Sequence, residues 1–296
     1  MPADITADQL DPEARAELRT LPGDLADAVA RQLVAASLEE DPERAYLHAK
    51  AARRLAARVG VVRETCGIAA YRAGEWADAL TELRAARRMT GRKTYLPMMA
   101  DCERALGRPD RALALVTGPE SKGVNRATAI ELRIVESGIR RDQGLPEAAV
   151  AALQVPELTD GRIRPESARL FYAYADALLD AGREDEAREW FGRAAAADAD
   201  EETDATERFE QLDSVVFDYL PDPDEQADPD EESEPVGEGT SLVAGRAVDL
   251  LPDDVGVPRV PGVLREDVHV DKAQRHLAQL VVRHRLVQRE VRRDPP

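Results

Sequence analysis

The sequence predicts an all-α protein built from a repeated helical hairpin, and three observations support this. Residues 71–83 carry a glycine, Gly74, suited to ending a helix, followed by apolar side chains at the i, i+3, i+4 spacing of a buried helical stripe. A glycine recurs at the same place in later copies, at 107, 144 and 182. A proline often follows two residues later, where a new helix can begin without losing a hydrogen bond.

The N-terminal helices are marked by their starts. Residues 11–20 begin with Asp-Pro and carry a short helical pattern, which we expect to cover one end of the stack. A second helix is expected after Leu21-Pro22-Gly23-Asp24, and a third after Asp41-Pro42-Glu43. In both Asp-Pro starts, Asp would cap the helix and Pro would occupy its first turn.

The period of the pattern resembles the tetratricopeptide repeat. Glu40, Gly74, Gly107, Gly144 and Gly182 are separated by 34, 33, 37 and 38 residues. With Gly74 at position fifteen of a 34-residue unit, small or apolar residues fall at the consensus positions: Gly67, Ala79, Leu83 and Ala86. Arg63 departs from the consensus, which has an aromatic there. More narrowly, residues 41–91 resemble Ala- and Arg-rich actinobacterial tetratricopeptide proteins without an established activity.

This resemblance implies a right-handed α-solenoid of about four to five hairpins over residues 24–199. The segments 117–123 and 155–161 are rich in turn residues, so we expect them to shorten the second helices that they follow and to account for the longer spacings. An apolar stripe on an acidic background runs from Ala205 to Leu220 and predicts a capping helix, which Pro221 would end.

The charge is unevenly distributed along the chain. Residues 1–199 hold 29 Lys and Arg against 33 Asp and Glu, whereas residues 200–264 hold 3 against 20 and residues 265–296 hold 8 against 5. We therefore predict an N-terminal flanking segment (1–23), a repeat domain with its capping helix (24–220), a disordered acidic linker (221–264) and a basic C-terminal helix or disordered tail (265–296). The near-balanced repeat domain disfavours nucleic-acid binding through that domain.

The basic C-terminal segment leaves several interpretations open. Residues 272–293 show a helical apolar pattern with six arginines. The segment could serve as a helix for partner binding or self-association, as a nucleic-acid contact, or as a segment without a fold of its own. A fourth alternative is that this positively charged segment folds back on the acidic linker. The lack of an aromatic residue for base stacking weakens the second interpretation.

Chemistry-bearing motifs are missing from the sequence. Gly91-Arg92-Lys93-Thr94 lacks the earlier glycine of a phosphate-binding loop, and the four histidines have no metal-ligand spacing. We predict no catalytic residues, no cofactor and no metal. Cys66 and Cys102 fall within predicted helices, as small core residues in a reducing compartment. No apolar run is long enough for a membrane span, so a cytoplasmic location without membrane contact is expected.

The resemblance also implies a partner-binding surface, because the first helix of each tetratricopeptide hairpin lines a concave face. Carried over by position, the face contains twelve residues: Glu64, Ile68, Arg72, Thr94, Asp101, Arg104, Glu131, Ile134, Arg141, Arg169, Tyr172 and Asp176. The mixture favours a protein segment with charges and a few apolar anchors. The alternative is a solvated wall without a tight ligand. Glu64 and Ile68 replace the Lys and Asn of domains that clamp a C-terminal carboxylate, which disfavours that subtype.

Three functions follow from these expectations. The first is a non-enzymatic scaffold or adaptor that binds a protein or peptide along the concave face. The second is an RNA- or ribosome-associated helical repeat that uses the Arg-rich C-terminal segment. The third is an enzyme of unrecognised type, which would require convergent titratable groups in a pocket. The sequence leaves the partner, the pathway and the oligomeric state open.

Overall fold

The structure is a computed structural model that describes residues 5–218, with side chains described through residue 213. This part of the chain is all-helical and contains twelve α-helices and no strand. The predicted linker and basic C-terminal segment lie outside the described residues. The α-helices are α1 (Pro12–Leu18), α2 (Gly23–Leu38), α3 (Pro42–Ala56), α4 (Gly60–Arg72), α5 (Trp76–Thr90), α6 (Leu96–Ala105), α7 (Pro109–Thr117), α8 (Arg126–Asp142), α9 (Pro146–Leu153), α10 (Ser167–Asp180), α11 (Glu184–Ala197) and α12 (Ala205–Asp218).

Helices that are neighbours in sequence are neighbours in space. From α2 to α12, each helix packs against the next, and first helices of successive hairpins also meet, as in α6 with α8 and α8 with α10. This arrangement is the adjacent-helix packing of a helical repeat. The second helices α3, α5, α7, α9 and α11 therefore follow the first helices α2, α4, α6, α8 and α10 in alternation.

Four hairpin corners are built in the same way. Gly74, Gly107, Gly144 and Gly182 all have φ between 70° and 73°, a left-handed conformation that costs an L side chain free energy. At each corner the backbone N–H of the residue after the glycine donates to the carbonyl oxygen five residues earlier, as Glu75 does to Ala70 at 2.9 Å. This is the Schellman motif, and it confirms that these glycines end the first helices.

The first corner is made by a cap instead of a glycine. The Asp41 side chain accepts from the backbone N–H groups of Glu43 and Arg44 at 2.9 and 3.2 Å. Asp11 does the same for Glu13 and Ala14 at the start of α1. Both Asp-Pro starts predicted from the sequence are confirmed.

The second helices differ in length. α5 has 15 residues and α11 has 14, whereas α7 has 9 and α9 has 8. Short 3₁₀ turns, Pro119–Ser121 and Pro156–Leu158, follow the two short helices. The predicted interruptions at 117–123 and 155–161 are thus confirmed.

The core forms between the helices along the whole stack. Gly67 of α4 sits so close to α5 that an added Cβ would lie 2.7 Å from the Leu83 side chain. Tyr71 packs edge-on against Trp76, with ring centroids 5.3 Å apart. Cys66 and Cys102 are fully buried and unpaired, as expected for small core residues. None of the described helices is long and apolar enough to cross a membrane.

Both ends of the described stack are covered by an additional helix. At the N-terminal end, Ala14 and Leu18 of α1 are buried in a cluster with residues of α2, α3 and α4. At the other end, Ala205 of α12 is buried, and Phe209 and Leu212 pack against the α10 and α11 core. The capping helix predicted after the last hairpin is therefore present, with Ala205–Asp218 as its described bounds.

Candidate functional site

The twelve predicted partner-binding residues lie on four first helices, except Thr94, which precedes α6. They divide by exposure into three groups. Six are buried (Glu64, Ile68, Asp101, Glu131, Arg169 and Asp176), five are half-buried (Arg72, Arg104, Ile134, Arg141 and Tyr172), and Thr94 is exposed. Asp101, Glu131, Arg169 and Asp176 among the buried members bond side chains of neighbouring hairpins.

One row of polar contacts joins the first helices of successive hairpins. The Tyr71 hydroxyl donates to Asp101 Oδ2 at 2.6 Å, and Arg104 Nε donates to Asp101 Oδ1 at 2.8 Å. Arg104 Nη1 then reaches the next hairpin, where it donates to Asp142 Oδ2 at 2.9 Å. We use the name polar row for these residues together with those that continue the contacts toward the C-terminal end.

The polar row continues in register toward the C-terminal end. Arg141 Nε donates to Asp180 at 2.5 Å and Nη1 donates to Asp176 at 3.0 Å. Arg208 of α12 also donates to Asp176, at 3.4 Å. The donors Arg104 and Arg141 each stand three residues before a hairpin glycine, so one repeat position carries the connection.

Gly138 lies beside the polar row at a position where the neighbouring hairpins carry a carboxylate. It takes the position that Asp101 and Asp176 hold in the neighbouring hairpins, six residues before the hairpin glycine. A Cβ there would lie 3.7 Å from Arg104 Nε. The Arg104 guanidinium therefore lies against the backbone of Gly138 while it bonds Asp142.

Glu64 is used at the N-terminal end of the stack. Arg92 bonds both Glu64, at 2.9 Å, and Glu17 of α1, at 3.4 Å. Glu17 also accepts from the Val61 backbone N–H at 2.8 Å, near the start of α4, where a negative charge suits the helix dipole. These bonds fasten the N-terminal segment to the first hairpins.

A buried ion pair joins α8 and α10. Arg169 Nη2 donates to Glu131 Oε2 at 2.7 Å, and the side chains are 5% and 9% exposed. Arg169 Nε and Nη1 have no hydrogen-bond partner among the described residues. Burial raises the pKa of Glu131, and the Arg169 charge opposes that rise.

Glu202, in the loop before α12, lies close enough to this pair to interact with it electrostatically. Burial is the main cause that raises the pKa of Glu202 to about 7, with Asp198, Asp200 and Glu131 adding to it and Arg169 opposing it. Asp198 organises the loop, because its carboxylate accepts from the Glu202 and Thr203 backbone N–H groups at 2.7 Å each.

Sequence reasoning missed half of the polar row. Tyr71, Asp142, Asp180 and Arg208 were not among the twelve residues, although each bonds a member of the set. The repeat period itself could have found them, because the bonded partners of different hairpins are separated by 30 to 39 residues, close to one repeat.

A second set of buried carboxylates lies outside the predicted surface. Glu82 of α5 accepts from Arg53 at 2.5 Å and Arg63 at 2.7 Å. Glu103 of α6 pairs with Arg84 at 2.5 Å and Arg108 at 3.4 Å. Each of these buried acids is thus held by two arginines from different segments of the chain.

The two cysteines are buried thiols. Burial raises the pKa of the Cys66 thiol to about 12 and raises that of Cys102 as well, so both are protonated at neutral pH. Residues 5–213 contain no group of three or more His, Cys, Asp or Glu side chains able to hold a metal ion.

Two comparisons with known proteins give no match. No protein-family model matches the chain. A search of curated proteins likewise gives no match.

Proposed function

We propose that the chain is a tetratricopeptide-type scaffold or adaptor, a right-handed solenoid of about four to five hairpins that binds a protein segment along its concave face. The polar row is the observation that supports this most directly. It places carboxylates and guanidinium groups at intervals of about one repeat along the first helices. A row with both signs of charge is suited to binding an extended polypeptide.

The exposed parts of the polar row define what a partner would contact. Asp142 is 52% exposed and Asp180 is 42% exposed, while Arg141 and Arg104 are 30% and 21% exposed. Their bonds to each other hold the side chains in place before binding, which lowers the entropy lost on association. Ile134 and Tyr172, both half-buried, supply apolar contact beside the charges.

The preferred partner on this proposal is a segment carrying both basic and acidic residues. Basic side chains would pair with Asp142 and Asp180, and acidic ones with Arg104 and Arg141. The cytoplasm is the compartment we propose, because Cys66 and Cys102 are buried, unpaired thiols.

Affinity capture with matched variants tests this proposal. The groove variant is Asp142→Asn with Asp180→Asn, and the control is Asp110→Asn with Asp185→Asn, which changes two exposed acids on the second helices α7 and α11. We expect the groove variant to lose partners that wild type and control both retain from native extract, as measured by quantitative mass spectrometry. An unchanged partner list in the groove variant, with its helicity intact, would reject the concave-face proposal.

A further inference from the structure

The outer side of α3 and α5 forms a basic face that the concave surface does not include. Two side-chain hydrogen bonds join the helices: the Tyr46 hydroxyl donates to Asp78 and Arg53 donates to Glu82, each at 2.5 Å. The face consists of one half-buried side chain, Lys50, and six exposed ones: Leu47, Arg54, Arg58, Arg84, Arg88 and Met89. Arg58 lies in the turn that follows α3, and the others lie on the two helices.

The two stretches of chain that carry the face hold no acidic residue of their own, although Asp78 of α5 lies nearby. Residues 44–63 hold six Lys and Arg and no Asp or Glu, and residues 83–100 hold five and none. Arg84 is neutralised by Glu103, but Arg54, Arg58 and Arg88 pair with no carboxylate among residues 5–213. The positive charge of the face is therefore only partly compensated within the described structure.

The helix dipole does not account for the clustering. Bases at a helix C-terminus complement the dipole of any helix. α3 and α5 carry Arg53, Arg54, Arg87 and Arg88 in their last turns, yet α7, α9 and α11 carry no base there. The basic face is a property of two hairpins and not of the repeat.

Apolar side chains stand among these bases. Leu47 is 63% exposed and Met89 is 47% exposed. Exposed apolar groups surrounded by like charges are typical of a docking surface for a segment that is both apolar and oppositely charged.

We propose that the basic face binds residues 248–254 of the same chain, Val-Asp-Leu-Leu-Pro-Asp-Asp. This segment supplies three carboxylates for the arginines and three large apolar side chains for Leu47 and Met89. The more acidic stretch at 222–234 has eight carboxylates but no large apolar side chain, so it would leave those two residues uncovered.

The chain length permits the contact. Residue 248 follows the last described residue, 218, by 30 positions. A linker of that length spans at most about 100 Å and about 30 Å on average. Covalent attachment keeps the segment at high effective concentration near the face, which favours it over a separate acidic partner.

Paramagnetic relaxation in the full-length chain tests the contact. A nitroxide label is attached to the thiol of the Ala247→Cys variant. The fully buried Cys66 and Cys102 do not compete for the label. We expect the amide signals of α3 and α5 near Leu47, Arg54 and Met89 to be lost, and those of α9 and α11 to persist. High salt should restore them, because exposed charge pairs are screened.

Substitutions on both sides of the contact make the test specific. Leu250→Ser with Leu251→Ser, or Arg54→Gln with Arg88→Gln, should restore the lost signals. Arg111→Gln, an exposed arginine of α7 without a carboxylate partner among the described residues, should leave them lost.

Several results would overturn the proposal. Uniform or absent broadening would remove the contact, and broadening confined to α9 or α11 would place the segment elsewhere. Broadening seen only when labelled and unlabelled chains are mixed would assign the face to a second copy. Absent broadening, with salt-sensitive shifts of the same amides on adding an RNA oligonucleotide, would assign it to nucleic acid.

Discussion

The two halves of the helical stack share one corner geometry but carry opposite charge. Residues 42–117, from α3 to α7, contain 15 Lys and Arg against 8 Asp and Glu, whereas residues 126–213, from α8 into α12, contain 11 against 21. Gly74 and Gly107 in one half and Gly144 and Gly182 in the other form the same left-handed corners. The corner glycines set the hairpin geometry, so the exposed surface is free to change sign.

The buried acids of the stack also differ in how many arginines hold them. Glu82 and Glu103 in the first half are each bonded by two partly exposed arginines. Among residues 5–213, Glu131 in the second half is bonded by Arg169 alone, and both side chains are buried, whereas Asp176 in the same half accepts from both Arg141 and Arg208. A shared acid keeps a partner when one arginine is lost, whereas the isolated pair does not.

The largest effect is therefore expected for Arg169→Met. Removing the arginine that bonds Glu131 leaves a buried carboxylate without its charge partner, which costs about 3–5 kcal/mol of unfolding free energy. Urea unfolding followed by circular dichroism measures the loss. Arg53→Met is the matched change in the first half, and we expect a loss of ~1–2 kcal/mol because Arg63 still bonds Glu82. Equal losses would contradict the distinction between shared and isolated acids.

The next effect concerns close packing in the first half. Gly67→Ala would place a Cβ 2.7 Å from the Leu83 side chain and 3.1 Å from its backbone nitrogen. We expect a loss of about 1–3 kcal/mol, since α4 and α5 would have to separate. Ala175 of α10 holds the corresponding position, eight in the repeat, in the second half, so that half already accommodates a Cβ.

Gly23→Ala is the control for this packing effect. No atom lies within 4 Å of the added Cβ, so Ala should be neutral or stabilise by ~0.5–1 kcal/mol through the unfolded state. Thermal unfolding of the Gly67→Ala and Gly23→Ala proteins under the same conditions compares their stabilities. A Gly67→Ala protein as stable as the Gly23→Ala protein would show that the α4–α5 contact adapts without cost.

A pH effect should distinguish the second half. The pKa of Glu202 is raised to about 7 by burial, above the ordinary carboxyl value of 4.5. The folded state therefore binds more protons than the unfolded state between these values, and stability falls as pH rises from about 4.5 to 7. The penalty is absent below that window and complete above it.

Glu202→Gln should flatten this part of the stability profile, because the amide does not titrate. Chemical unfolding measured across that pH window tests the expectation, with Glu201→Gln as an exposed neighbouring control. An unchanged slope in Glu202→Gln would show that another group causes the dependence. Since the side chain is only partly buried, solvent screening reduces the size of the effect.

Much of the fold could be predicted because its determinants are local. Gly74, Gly107, Gly144 and Gly182 end helices through backbone conformation, and Asp41 caps one through its own carboxylate, so sequence position alone indicates the corner. The burial of Glu64, Asp101 and Glu131 could not be inferred in this way. It depends on arginines or a tyrosine from other hairpins, whose rotamers and distances the repeat pattern does not specify.

The smallest effect is expected at a surface pair that links α5 to the 3₁₀ turn after α7. Arg87 Nη1 bonds Glu120 at 2.6 Å, and a hydrogen bond from Arg87 is the main cause that lowers the pKa of Glu120. A lowered pKa stabilises the fold above the ordinary carboxyl value, and the contribution is lost as pH falls through the folded pKa. Glu120→Gln should cost only ~0.2–1 kcal/mol at neutral pH, because Glu120 is 44% exposed. Unfolding in low and high salt checks this: the difference from wild type should shrink with salt, and a salt-independent loss would mean that Glu120 positions the turn through packing instead of charge.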